Sequence, residues 1–180
     1  MRPPEHIETP RLLLRKPIAP DDAPRIFEAY AHDPEVTQFL AWRPHRTAEE
    51  GLEVLQTRIA CWADGSEFSW VITLRKSGVL VGMITATPDR EPWRYSLGYV
   101  LGREHWNRGY MTEAVRGVTE TLLALPGVCR VWAVADEDNF ASMRVLEKAG
   151  LQREGLLQRW SLHPALGDQP RACWCFAKVR

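Results

Sequence analysis

RYSLGYVLGREHWNRGYMTEAVRGVTETLLALPGVCRVWAVA, residues 94–135, predicts a strand, a loop, a helix and a second strand in that order. The first strand is RYSLGYVL (94–101), and the second is CRVWAVA (129–135), an uninterrupted apolar run typical of a buried strand. The helix between them has an apolar stripe formed by Met111, Val115, Val118, Leu122 and Leu125. Strands joined by a helix pair in parallel and place their loops at one sheet edge, where ligands commonly bind.

Weaker patterns on both sides complete the predicted order of elements. Strands are predicted at 11–17, 67–74, 79–87, 151–162 and 171–179, and helices at 19–33, 46–65 and 139–150. The turn RKSG (75–78) joins two of these strands as a hairpin. Because the sequence has no linker, repeat or low-complexity segment, residues 1–180 are predicted to form a single α+β domain with a mixed sheet.

The composition is that of an ordinary globular domain. The chain has 180 residues, of which 45% are apolar and 26% are charged, and its formal net charge is zero. Zero net charge without a basic stripe argues against nucleic-acid binding. No apolar run approaches the roughly 18 residues of a membrane span. The first ten residues, MRPPEHIETP, lack the apolar core of a signal peptide, so we expect a cytoplasmic protein.

The cysteines and histidines predict neither a disulfide framework nor a metal site. The cysteines are too few and too scattered for a disulfide scaffold, and they are Cys61, Cys129, Cys173 and Cys175. A metal site would need further Cys or His ligands at suitable spacing, which His105 and His163 do not supply. We therefore expect no metal.

The loop before the central helix has features of a phosphate site. Gly109 allows a positive φ and close approach of a ligand to the backbone, and Arg108 adds charge. The first N–H groups of a helix have no internal partner and bind phosphates readily. A plain turn explains the same residues, so the loop alone leaves both interpretations open. A second polar helix start, with Asn139 as N-cap and Ser142 in the first turn, favours a cleft between the two helix starts.

Three separated segments stand out, and they are YSLGYVLGREHWNRGYMTEAVRGV (95–118), DEDNFASMRVLEKAGLQREGLLQRW (136–160) and HPALGDQPRACWCFAKV (163–179). In this order they resemble the RimJ/RimL-type branch of the GCN5-related N-acetyltransferases (GNAT superfamily). IETPRLLLRKPIAPDDA (7–23) resembles the opening strand and helix of the family. The resemblance implies a mixed, mostly antiparallel twisted sheet of six to seven strands, flanked by about four helices, with a central β-α-β cofactor unit.

The resemblance also implies acetyl-CoA as the co-substrate. The pyrophosphate loop of the family has the pattern Gln/Arg-x-x-Gly-x-Gly/Ala, of which this chain keeps the central glycine. By this likeness the pyrophosphate would bind to Trp106, Asn107, Arg108, Gly109, Tyr110, Met111 and Thr112. The acetyl-pantetheine arm would contact Tyr99, Val100, Leu101, Asn139 and Ser142, and Arg144 either reaches the phosphates of the cofactor or is only a solvated helix residue. Trp106, Asn107 and Met111 depart from the family pattern.

The reaction that the resemblance implies is acetyl transfer from sulfur to an amine. Ser142 matches the serine that this branch is thought to use on the leaving thiolate, whereas Leu146 stands where relatives outside the branch have a tyrosine. Ser96 replaces a glutamate that many members carry on the third strand, so the base is not assigned. Tyr99 is the second catalytic candidate, although as a base it would need a lowered pKa.

The expected acceptor is a primary amine, either a protein or peptide N-terminus or a small molecule. Its binding residues are expected on the two N-terminal helices and the loop SLHPALGDQP (161–170), with Arg25, Trp42, Arg43, Trp62 and Trp93 as candidates. The expected assembly is a monomer or a homodimer. Ser96 and Leu146 keep open an alternative, in which the chain is a CoA-binding sensor or interaction module without catalysis.

Overall fold

An eight-stranded sheet organises the protein in a computed structural model, which describes residues 2–91 and 93–180. The strands are β1 (His6–Glu8), β2 (Leu12–Arg15), β3 (Phe68–Leu74), β4 (Leu80–Pro88), β5 (Arg94–Leu101), β6 (Arg130–Asp136), β7 (Gln152–Ser161) and β8 (Arg171–Val179). They lie in the order β1-β2-β3-β4-β5-β6-β8-β7, and neighbours are antiparallel except β5 and β6. The predicted mixed, mostly antiparallel sheet is confirmed. It contains one strand more than predicted, β1, which is too short to show a periodic pattern.

Five helices flank this sheet in the described part of the chain. They are α1 (Asp22–Ile26, continued by a π-helical turn, Phe27–Ala31), α2 (Pro34–Thr37), α3 (Ala48–Asp64), α4 (Tyr110–Leu123) and α5 (Phe140–Ala149). The short helix α2 begins directly after the helix predicted at 19–33. Asp33 is its N-cap, and the Asp33 side chain accepts a hydrogen bond from the Glu35 N–H at 2.9 Å. Among the described residues, no helix is both long and apolar enough to cross a membrane.

The helices cover the two faces of the sheet. On one face, here called the α4/α5 face, the apolar stripes of α4 and α5 are buried against strand residues such as Val131. The buried helix residues there are Met111, Val115, Val118, Leu122, Met143 and Leu146. On the other, the α1/α3 face, Leu55 of α3 packs in a second cluster with Met83 of β4.

The two parallel strands at the centre of the sheet separate after a short pairing. Their ladder contains three pairs, from Arg94–Arg130 to Ser96–Trp132. Beyond these pairs, β5 continues beside β4 and β6 continues beside β8. The facing edges of β5 and β6 therefore open a gap in the sheet, where the ladder leaves backbone groups available to an extended ligand.

Candidate active site

The loop after β5 presents backbone N–H groups beside this gap. Gly109 is the N-cap of α4 and has φ of 76°, and Asn107 has φ of 60°. Glycine and asparagine adopt such left-handed conformations at a lower cost than other residues. Within the described part of the chain, the N–H groups of residues 107–112 have no hydrogen-bond acceptor. The loop and the first helical turn, here called the anion cradle (residues 107–112), are therefore suited to a phosphate.

The side chains of two residues that depart from the family pattern, Trp106 and Met111, support the cradle. Trp106 donates a hydrogen bond from its indole Nε1 to the Leu101 carbonyl at 2.7 Å, which ties the loop to the end of β5. Met111 is only 4% exposed and belongs to the core on the α4/α5 face. The bulk of the Met111 side chain is therefore packed beneath the loop, and its backbone N–H is what this residue offers to a ligand.

Glu113 anchors the start of α4 to the turn between β1 and β2. Its carboxylate accepts hydrogen bonds from the Thr9 hydroxyl at 2.6 Å, the Arg11 backbone N–H at 2.8 Å and Arg11 Nε at 2.6 Å. Burial alone would raise the pKa of Glu113, but these hydrogen bonds outweigh burial and lower it. Glu113 is thus a fixed carboxylate that positions the cradle.

A pair of hydroxyl groups links β5 to α5 across the gap. The Tyr99 hydroxyl lies 2.8 Å from Ser142 Oγ, and either oxygen can be the donor. Asn139 fixes the start of α5, since its side-chain oxygen accepts a hydrogen bond from the Ser142 N–H at 3.1 Å. Burial raises the pKa of the Tyr99 phenol above its ordinary value, and the bond to Ser142 offsets this only in part. The lowered pKa that Tyr99 would need as a base is therefore not found, and its phenol is a proton donor at neutral pH.

The other candidates lie around this pair and the cradle. Val100 is half-buried and packs on the α1/α3 face, and the half-buried Leu101 packs on the opposite face. Tyr110 and Thr112 are half-buried in the first turn of α4, while Arg108 and Arg144 are exposed. Ser142 is thus hydrogen-bonded to both Tyr99 and Asn139, whereas among the described residues no hydrogen bond or ion pair ties the Arg144 side chain to this group.

A polar network on the α1/α3 face, level with the gap, was missed by the sequence analysis. The Arg58 guanidinium donates to the Glu67 carboxylate at 2.6 Å, and the Ser69 hydroxyl bonds to Glu67 Oε1 at 3.0 Å. Ser69 Oγ also lies 2.8 Å from the Thr85 hydroxyl. Thr85 pairs with Gly98 of β5, where that strand has parted from β6. The register of the β3–β4 hairpin, which periodicity does not fix, is what aligns these residues.

One residue expected on the acceptor side lies elsewhere. Trp62 is 3% exposed and packs edge-on against Phe68 and Trp70, and its indole nitrogen donates to the Ser69 carbonyl at 2.8 Å. Its place in the core follows from its position on the inner stripe of α3. The expectation that Trp62 contacts an acceptor was wrong.

Asp136, His163 and Cys173 come together although their spacing in the sequence does not predict it. All three are buried, and their potential ligand atoms lie within 4.8 Å of one another. Arg171 donates two hydrogen bonds to the Asp136 carboxylate, at 2.7 and 3.0 Å. Burial alone would raise the pKa of Asp136, but these bonds and one from the Asp138 N–H lower it. Because Arg171 already compensates the carboxylate, the arrangement has the character of a buried ion-pair network.

Comparisons with known proteins agree with this geometry. A family model described as an acetyltransferase (GNAT) domain matches residues 11–152. The chain is 32% identical over 155 residues to the uncharacterized N-acetyltransferase YoaA of Bacillus subtilis (strain 168). The aligned residues cover 86% of this chain and 86% of that protein.

Two solved structures share the fold over nearly their whole length. An acetyltransferase (GNAT family) from Bacillus anthracis matches with a TM-score of 0.84 and 23% identity, over 97% of this chain and 98% of that one. RimL, a ribosomal L7/L12 alpha-N-protein acetyltransferase in complex with CoA, matches with a TM-score of 0.85 and 17% identity, over 97% of this chain and 98% of RimL. With a family model that spans most of its length and a relative at this level of identity, the chain belongs to the GNAT family of acetyltransferases.

Proposed function

We propose that the chain is an N-acetyltransferase that moves the acetyl group of acetyl-CoA to a primary amine by direct attack on the thioester. The main support is the Tyr99–Ser142 hydroxyl pair, which lies across the gap between β5 and β6. The gap suits the extended, amide-rich pantetheine arm, and the anion cradle suits the pyrophosphate. The hydroxyl pair then lies where the sulfur would leave.

The Ser142 and Tyr99 hydroxyls can pass a proton to the leaving sulfur in sequence. As the amine nitrogen forms its bond to the carbonyl carbon, the carbon–sulfur bond breaks and negative charge develops on sulfur. Ser142 Oγ donates its proton to that sulfur and is resupplied by the Tyr99 phenol, which burial keeps protonated. Asn139 holds Ser142 in place through the cap of α5.

Proton movement at the amine requires an acceptor on the opposite face of the sheet. A lysine-like amine has a pKa near 10.4, so only about one molecule in a thousand is neutral at pH 7.4. We propose that the Thr85 hydroxyl takes the proton of the incoming ammonium while its own proton passes through Ser69 to Glu67. An α-amine, with a pKa near 7.7–8.0, needs this relay far less.

Glu67→Gln is expected to lower kcat/KM for a lysine-like amine about fivefold at neutral pH, because the relay loses its final proton acceptor. The loss stays moderate because water replaces part of the relay. For an amine whose pKa lies below the assay pH, kcat/KM should stay unchanged, because no proton must leave before attack. The measurement is kcat/KM across a series of amines of graded pKa, with the thermal unfolding temperature recorded for each variant.

Glu53→Gln is the matched control for this relay, since Glu53 is exposed on α3, the same helix that bears Arg58. Glu53→Gln should leave kcat/KM unchanged for both the lysine-like amine and the amine of low pKa. An equal loss with all amines after Glu67→Gln would mean that Glu67 only anchors α3 to β3, and the relay would be wrong.

The acceptor is proposed to be either a protein N-terminus or a small amine. RimL is described as acting on a ribosomal protein, which supports the first class. The test is a thiol-release assay with acetyl-CoA against N-terminal peptides and small amines. Amine-dependent release with any of them supports transfer and excludes a pure binder. Tight CoA binding without release across the whole panel would favour the CoA-binding sensor instead.

A further inference from the structure

A bulge in β7 turns an aromatic side chain towards the sheet surface. Between the Leu157–Cys173 and Ser161–Arg171 pairs, β7 advances four residues while β8 advances two. Inside the bulge Arg159 has φ of 50°, a conformation that residues other than glycine, asparagine and aspartate rarely adopt. Trp160 follows directly and is 50% exposed. Bulges and backbone strain of this kind are concentrated where a side chain is aimed at a functional site.

Trp160 forms one wall of an open, largely apolar cleft. Its ring meets Trp132 of β6 edge-to-face, with 6.4 Å between the ring centroids, and Leu157 and Cys175 complete the apolar lining. The cleft has a volume of about 220 Å³, more than the roughly 150 Å³ of a protein cavity that holds a benzene ring. We call it the Trp132–Trp160 cleft.

The charged residues of the Trp132–Trp160 cleft are already paired with one another. The Arg94 guanidinium lies 2.5 Å from the Asp89 carboxylate, which also accepts a hydrogen bond from Trp132 Nε1 at 3.1 Å. Arg130 is paired with Glu154 of β7. What the cleft offers to a ligand is therefore apolar and aromatic surface, and neither carboxylate is free for a polycation.

The cleft lies next to the place where an amine would meet the thioester. Trp132 pairs with Ser96 at the last rung before β5 and β6 separate, and Gly98 is the next residue of β5 on the same face. Two residues of a strand span about 7 Å. Val131 and its alternate neighbours face α4 and α5, so Trp132 projects from the α1/α3 face, where the acceptor would enter.

We propose that the Trp132–Trp160 cleft binds the flat apolar group of the acceptor, so that the substrate is an amine joined by a short chain to an aromatic ring. This inference rests on the proposed acetyltransferase function and narrows its acceptor. Two tryptophans that meet edge-to-face offer a planar ring edge-on and offset-stacked contacts, and the paired carboxylates leave no free negative charge for a polyamine. The two tryptophans then determine specificity and take no part in the chemistry.

The test measures kcat/KM with acetyl-CoA for 2-phenylethylamine, ethylamine and spermidine. The intact protein should prefer 2-phenylethylamine. Trp160→Ala should raise its KM about tenfold, leave kcat nearly unchanged and leave ethylamine unaffected, because only the ring contact is lost. Trp160→Phe should restore most of the affinity. Val179→Ala is the control, since Val179 is an apolar side chain that is 63% exposed at the end of β8 and lies outside the cleft lining.

Three results would overturn the proposal. The first is a preference of the intact protein for spermidine, and the second is an equal effect of Trp160→Ala on the KM of all three amines. The third is a Trp160→Ala variant whose molecular mass in solution changes while its KM for 2-phenylethylamine does not, which would make the cleft an interface between copies. Binding of 2-phenylethylamine to the CoA complex is measured separately by tryptophan fluorescence. Binding that requires Trp160 without turnover of any amine would keep the cleft and refute the transferase function. Absence of both binding and turnover would refute the cleft as well.

Discussion

Gly109→Asp is expected to raise the dissociation constant of CoA by at least about a hundredfold, which corresponds to about 2.8 kcal/mol. A carboxylate at this helix N-cap accepts hydrogen bonds from the N–H groups of Met111 and Thr112, which would otherwise be open to the pyrophosphate. It also repels the phosphates, and two like charges about 4 Å apart near a protein surface repel by about 4 kcal/mol. Isothermal titration calorimetry with CoA measures the change.

Gly127→Asp separates this effect from backbone strain. Gly127 has φ of 83°, close to the 76° of Gly109, and a Cβ there would meet no described atom within 4 Å. Both variants carry a similar strain of about 1 kcal/mol, which a thermal unfolding curve detects. Only Gly109→Asp should lose CoA. Wild-type affinity in Gly109→Asp, or an equal loss in both, would contradict the assignment of the anion cradle.

Ser142→Ala is expected to lower kcat by at least about tenfold while the affinity for acetyl-CoA changes little. The hydroxyl acts on charge that develops on sulfur only in the transition state, so its loss affects the chemical step rather than binding. The α5 cap survives, because the Asn139 side chain bonds to the backbone N–H of residue 142. Single-turnover kinetics and CoA titration give the two quantities.

Tyr99→Phe and Ser77→Ala are the comparison variants for the loss of kcat in Ser142→Ala. Tyr99→Phe removes the partner of Ser142 and should reduce kcat by a smaller factor, because Ser142 can still donate. Ser77→Ala removes an exposed hydroxyl at the turn before β4 and should have no effect. An unchanged kcat in Ser142→Ala would remove Ser142 from the mechanism.

The local parts of the site were predictable from the sequence. The positive φ of Gly109 follows from a glycine placed before an apolar-periodic helix, and the cap by Asn139 follows from its position before α5. Met111 belongs to the apolar stripe predicted for α4 and is buried in the core, although it departs from the family pattern at that position.

The parts that depend on distant residues were not predictable in this way. The Tyr99–Ser142 contact joins residues 43 apart in the chain, and it needs both the separation of β5 from β6 and the angle of α5. The Ser69–Thr85 pair needs the hairpin register, and Trp160 needs a bulge that alternation does not reveal. Periodicity reports which face a residue occupies, but not its partner on another strand.

The most direct test of acetyl transfer to an amine is the fate of an isotopically labelled acetyl group. The protein is incubated with labelled acetyl-CoA and an amine, and mass spectrometry follows both the amine and the intact protein. Direct transfer predicts that the label appears on the amine in equal amount to the thiol released, and that no labelled protein forms at any time. Label on the protein before the amine, or thiol release without labelled amine, would contradict direct transfer.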